Sequence, residues 1–89
     1  MRSHLTREFR RHFEHLPRHV QQLARDNYGF WKSDPGHPGL QFKQVHSRRP
    51  IYSIRIGIGW RALAVKDGDD LIWFWIGSHS SYDSLLKRL

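Results

Sequence analysis

Ile51-Tyr52-Ser53-Ile54-Arg55-Ile56-Gly57-Ile58-Gly59-Trp60-Arg61-Ala62-Leu63-Ala64-Val65, with Leu71 to Gly77 after it, decides the fold. Ile54, Ile56 and Ile58 alternate with Ser53, Arg55 and Gly57, and this period of two marks a strand with one apolar face. Ile58-Gly59 turns the chain back into a second strand from Trp60 to Lys66. Asp67-Gly68, a favoured hairpin dipeptide, leads into a third over Leu71 to Gly77. Leu71 to Ile76 is apolar on both faces, so this strand is expected inside the sheet with side chains packed above and below it. Working outward, Leu40 and Phe42 alternate with Gln41 and Lys43 and add another strand, which makes a four-stranded antiparallel meander. Residues 1 to 5 are a candidate fifth strand at an edge.

Upstream the period changes. Leu5, Phe9, Phe13 and Leu16 recur at spacings of four and three, one face of a short helix with Arg7, Arg10 and Arg11 outside it. Pro17 ends that helix and opens the next, because proline suits a first helical turn; Val20, Leu23, Ala24, Tyr28 and Trp31 carry the second to about Lys32. Ser33 to Gly39 is dense in turn formers and connects the helical hairpin to the sheet. Ser80-Ser81-Tyr82-Asp83 reads as a capping box that opens a short C-terminal helix through Leu85, Leu86 and Leu89. The expected class is α+β, an N-terminal helical hairpin on a four-stranded antiparallel sheet, five-stranded with the edge, ending in a short helix, in one domain over residues 1–89.

Composition narrows the function. A chain of 89 residues buries only about 60 to 65% of its unfolded surface, so the core is thin and leaves no room for a second domain. With no cysteine, neither a disulfide framework nor a cysteine zinc site supports the fold, and 4 Trp, 5 Phe and 3 Tyr must fill the interior. The apolar run from Leu71 to Ile76 is far shorter than the roughly 20 residues of a membrane span, and the N-terminus lacks a signal-peptide segment, so a cytoplasmic location is expected. Fifteen Lys and Arg against 8 Asp and Glu give a formal charge of +7, and 11 of the 15 are Arg. The planar, permanently charged guanidinium pairs with phosphate through two hydrogen bonds, so this excess points to a polyanionic partner, against the plainer reading of a solubilising basic surface.

Arg55 faces away from the isoleucines, and Arg61 comes close to it across the turn. Lys43 can reach the same face, so that three cations converge where phosphate oxygens can sit. His79 follows the innermost strand at a β-to-α junction, and Tyr82, three residues on, faces the same way. Imidazole exchanges a proton near neutrality, whereas a phenol acts as a base only where cations depress its pKa. Taken singly, each is as readily a surface cation, a cap or a packing residue, and it is their convergence that suggests chemistry. His12, His15 and His19 have the spacing of one helical face, but Pro17 interrupts it and no HExxH motif is present, so no metal or other cofactor is expected. A glycine-rich phosphate loop before a helix and a serine-nucleophile elbow are both missing.

The helical hairpin, the meander, Tyr52-x-Ile54-Arg55-x-Gly57-x-x-Trp60-Arg61-Ala62-Leu63 and Ile76-Gly77-Ser78-His79-Ser80-Ser81-Tyr82 together resemble the RelE/ParE superfamily of bacterial toxin–antitoxin toxins. The resemblance covers nearly the whole chain and implies a small toxin whose ribosome-dependent members cut messenger RNA, paired with an acidic antitoxin. By position it implies that Arg55 and Arg61 bind phosphate, that His79 and Tyr82 are catalytic and, less closely, that Lys43 contacts RNA; the basic pair Arg48 and Arg49 are further candidate RNA contacts. Ser53 stands where the RelE branch tends to carry another lysine. The expected function is a metal-independent mRNA endoribonuclease acting through 2′-hydroxyl attack. The alternatives are a ParE-like inhibitor of DNA gyrase that catalyses nothing, and a non-toxic basic RNA-binding domain.

Overall fold

The computed structural model describes residues 1–89. It contains β1 (Arg2–Leu5), α1 (Arg7–Glu14), α2 (Arg18–Ser33), a short 3₁₀ turn (Pro38–Leu40), β2 (Lys43–Gln44), β3 (Ile51–Ile56), β4 (Trp60–Asp67), β5 (Asp70–Ser78) and α3 (His79–Arg88). The α+β class, the helical hairpin, the meander and the terminal helix expected from the sequence are all present.

Five strands form one sheet in the order β1-β5-β4-β3-β2. The candidate edge strand is real but runs parallel to β5, with Arg2 opposite Asp70 and Leu5 opposite Trp73, so the sheet is mixed rather than wholly antiparallel. From β1 the chain passes through both helices to β2 at the opposite edge and returns by the meander to β5, so the parallel pair is joined by a long crossover rather than a hairpin. Thr6 ends β1 and starts α1: its hydroxyl donates to Trp73 O and accepts from Phe9 N. Pro17 occupies the N-cap of α2, and the helix stops at Ser33, before Asp34-Pro35, because the residue preceding proline avoids helical geometry.

Two local readings of the sequence are corrected. The strand expected over Leu40 to Lys43 shrinks to Lys43–Gln44, because Gln41 takes a left-handed conformation (φ 48°) that breaks the alternation and ends the 3₁₀ turn. The terminal helix begins at His79 rather than after a cap at Ser80; its N-cap is Ser78, whose hydroxyl accepts from Ser81 N at 3.2 Å.

The core lies on both faces of the sheet and is thin, with 15 of 89 residues buried. On the face covered by α2, Ile54, Ile56, Ala62, Ala64, Trp73 and Ile76 pack with Trp31 and Ala24. Trp31 is central: it stacks on Tyr28 and meets Phe42 and Trp73 edge to face. On the other face Ile51 and Leu63 pack under Tyr82 of α3. No residue of α1 is buried. A cleft of about 460 Å³ therefore stays open between the helices and the sheet, with Phe9, Phe13, Tyr28, Ile54, Ile56 and Ile76 among its apolar walls and Arg10 and Arg25 at its rim. No helix is long and apolar enough to cross a membrane.

Candidate active site

The β3–β4 hairpin builds one side of the site. Gly57 adopts φ 59°, which only glycine takes up easily, and the chain reverses over residues 57–59. The register that results puts Arg55 directly opposite Arg61, and Arg61 in turn opposite Gly77 on β5. Residues opposite one another share a sheet face, so the two guanidinium groups project on the side away from the α2 core. Directly opposed like charges cost about 0.2–1 kcal/mol, yet no carboxylate forms an ion pair with either arginine. Arg55 Nε donates to Gly57 O at 2.9 Å and Arg61 Nη1 to Trp60 O at 3.1 Å. Each side chain is thus held by one local bond and keeps its other donors for a ligand.

The β5–α3 junction builds the other side. His79 N donates to Gly59 O at 2.8 Å, which ties the start of α3 to the hairpin tip. The His79 and Tyr82 rings lie 5.7 Å apart, and the Arg61 guanidinium sits 5.9 Å over the Tyr82 ring. Tyr82 is therefore the common neighbour of His79 and Arg61, with Arg55 beside Arg61. The exposure of the two protic side chains differs sharply. His79 is close to half exposed, whereas Tyr82 retains only 7% of its surface and packs on Ile51 and Leu63. His79 Nε2 lies 3.4 Å from Asp83 Oδ2, an i, i+4 neighbour on α3, with both side chains about half exposed and no hydrogen bond between them.

The remaining candidates are arranged differently. Lys43 is exposed on edge strand β2 opposite Ser53, on the same face as Arg55 but two residue pairs further from the hairpin turn. Ser53 is 2% exposed, so this position lies beneath the surface. Arg48 and Arg49 are not brought to the site. They lie in the β2–β3 loop beyond the far end of β3, a full strand length, roughly 20 Å, from the hairpin turn. His46 shapes that loop: its Nδ1 accepts from Arg48 N and Arg49 N, and its Nε2 bonds to Leu89 O at 2.9 Å. Of the N-terminal histidines, His15 Nδ1 bonds to Arg11 O at the end of α1, and the His12 ring packs 6.2 Å from that of Trp75.

The arrangement can hold a phosphodiester against two unneutralised arginines, with an imidazole and a phenol at its flank. Solved structures with similar folds include the RelE toxin in a RelB–RelE complex from Methanococcus jannaschii (TM-score 0.73, 17% identity, covering 92% of this chain and 96% of that one). The RelBE2 toxin–antitoxin complex from Mycobacterium tuberculosis gives 0.69 at 17% identity, covering 88% and 96%. The isolated RelE toxin of E. coli gives 0.66 at 12% identity, covering 98% and 96%. At these identities the likeness concerns the fold. A search among curated protein sequences finds no match. The family model for the ParE-like toxin domain matches residues 18–84, a span running from α2 through His79 and Tyr82, and the chain accordingly belongs to the ParE-like toxin domain family.

Proposed function

We propose that this toxin is a metal-independent, ribosome-dependent mRNA endoribonuclease. The observation that carries the reading is the opposition of Arg55 and Arg61 without a carboxylate counterion, next to a half-exposed His79 and the Tyr82 ring. The ribose 2′-hydroxyl attacks the adjacent phosphorus and the bond from phosphorus to the 5′-oxygen breaks, leaving a 2′,3′-cyclic phosphate and a 5′-hydroxyl end. One of His79 and Tyr82 takes the 2′ proton and the other supplies a proton to the departing oxygen. Arg55 and Arg61 stabilise the charge that accumulates on the phosphoryl oxygens. A well-aimed donor of this kind contributes about 3–4 kcal/mol, and acid–base assistance about 10²- to 10⁴-fold in rate.

The partner that restrains such a toxin is proposed to be an antitoxin with an acidic amphipathic helix. Both complexes among the similar structures pair a toxin with an antitoxin. Here the cleft beneath α1 offers apolar walls, with Arg10 and Arg25 outnumbering Glu14 among its charged lining residues, a fit for apolar side chains flanked by Asp or Glu.

A second reading, binding and inhibition of DNA gyrase, is favoured by the near-complete burial of Tyr82 and by the ParE-like match. Purified toxin assayed in parallel on gyrase supercoiling and on mRNA-programmed ribosomes separates the two. Inhibited supercoiling with intact mRNA would replace the endoribonuclease reading.

A further inference from the structure

Ile58 is the most exposed large apolar residue in the protein, with 85% of its surface free, and it sits at the tip of the β3–β4 hairpin between Gly57 and Gly59. Local propensity argues against it there, since tight turns favour Gly, Asn and Asp over β-branched residues. The turn is also fixed from several sides. Gly57 O accepts from Arg55 Nε and Gly59 O accepts from His79 N, so the two carbonyls flanking Ile58 are bonded to residues of the candidate active site. Asn27 Nδ2 holds Arg55 O at 3.0 Å, and Leu23 of α2 lies so near Gly57 that a Cβ there would come within 3.3 Å of its Cδ1. An apolar side chain is therefore presented to solvent on a rigid support, at a fixed place beside two arginines.

The geometry points to Ile58 as a substrate-positioning residue that packs against a base of single-stranded RNA while the adjoining phosphate lies on Arg55 and Arg61. The inference rests on the endoribonuclease reading. Single-stranded RNA satisfies both features at once: its phosphates answer the uncompensated guanidinium groups, and its unstacked bases offer flat apolar faces. Aliphatic side chains insert against base steps in other nucleic-acid complexes, and a support that does not move on binding adds affinity by lowering the ordering cost. An acidic helix would match the arginines equally well, but Ile58 and the partly exposed Leu23 beside Gly57 make only a small apolar spot at a turn, narrower than the stripe an amphipathic helix buries. Ile58 is thus expected to fix the position of whichever base adjoins the scissile bond, and so the register of cleavage, rather than to select its identity.

The test compares wild type, Ile58→Ser, Ile58→Leu and Arg61→Ala on a defined mRNA programmed on purified ribosomes, with KM, kcat and cleavage positions measured for each. Ile58→Ser should raise KM about tenfold or more, the lower end of what burying such a side chain contributes, leave kcat within about threefold, and spread cleavage over more positions. Ile58→Leu should restore wild-type KM, and the melting temperature should be unchanged because Ile58 is almost free of contacts. Wild-type KM and cleavage pattern in Ile58→Ser, with cleavage lost in Arg61→Ala, would overturn the role of Ile58 and leave the endoribonuclease reading standing. Absence of cleavage by wild-type protein would overturn both.

Discussion

Replacing Tyr82 separates the two roles that its position combines. With 7% of its surface exposed, its ring packs on Ile51 and Leu63, meets the His79 ring at 5.7 Å and lies under the Arg61 guanidinium at 5.9 Å. A buried aromatic removes about 150–250 Å² from water, worth about 4–6 kcal/mol at about 25 cal/mol per Å². Truncation to alanine is therefore expected to cost about 3–5 kcal/mol. In a domain of this size each kcal/mol shifts the melting temperature by about 4–8 °C, so Tyr82→Ala should melt about 12–40 °C lower. Tyr82→Phe keeps the ring and removes only the hydroxyl; it should melt within about 5 °C of wild type while cleavage falls by about 10²-fold or more. Calorimetry on both variants, with single-turnover cleavage on Tyr82→Phe, measures the two effects independently. Full cleavage by Tyr82→Phe would refute the catalytic hydroxyl, and a Tyr82→Ala melting temperature near wild type would refute the packing argument.

Other consequences concern the frame around the site. The hydrogen bond from His4, aided by the charge of Arg2, holds the Asp70 carboxyl below its usual range despite some desolvation, and the same contacts fasten β1 to β5. A depressed carboxylate stabilises the fold above its unfolded pKa of about 3.9, and that contribution disappears as pH falls through the lower folded value. Wild type should thus melt higher than Asp70→Asn at pH values above the ordinary carboxylate range and converge with it as the pH falls through the lowered folded pKa; a gap independent of pH would contradict the assignment. At Gly77 an added Cβ would lie 2.6 Å from Trp75 Cζ2 and 2.9 Å from Cη2. Gly77→Ala should therefore destabilise by about 1–3 kcal/mol through overpacking, although the same change at an open position adds about 0.4–1 kcal/mol of stability. A raised melting temperature would show that the ring moves freely.

The sheet was legible because its period of two and its turn residues agree: Ile54, Ile56 and Asp67-Gly68 place three strands almost to the residue. Strand β1 was visible only as a candidate, and its parallel direction depends on pairing with a strand some seventy residues away, a contact that no local pattern encodes. The alternation at Leu40 and Phe42 misled for a physical reason, since a left-handed Gln41 turns both side chains inward without a strand. For the site, the cross-strand pairing of Arg55 with Arg61 follows from turn length, and the facing of His79 and Tyr82 from helical spacing. Burial could not be read in the same way: Tyr82 sinks into the second core cluster because Leu85 and Leu86 draw α3 onto the sheet. Nor could the distance of Arg48 and Arg49 from the hairpin turn, which is set by the direction of β3.

The most direct test of the central claim is cleavage of mRNA on programmed ribosomes by wild type, Arg61→Ala and His79→Ala, with new 5′ ends mapped by primer extension. Wild type should cut within the decoding-site codon, and each folded variant should lose about a hundredfold or more in rate. Wild-type rates in both variants, or intact mRNA with an active, folded wild-type toxin, would contradict that claim.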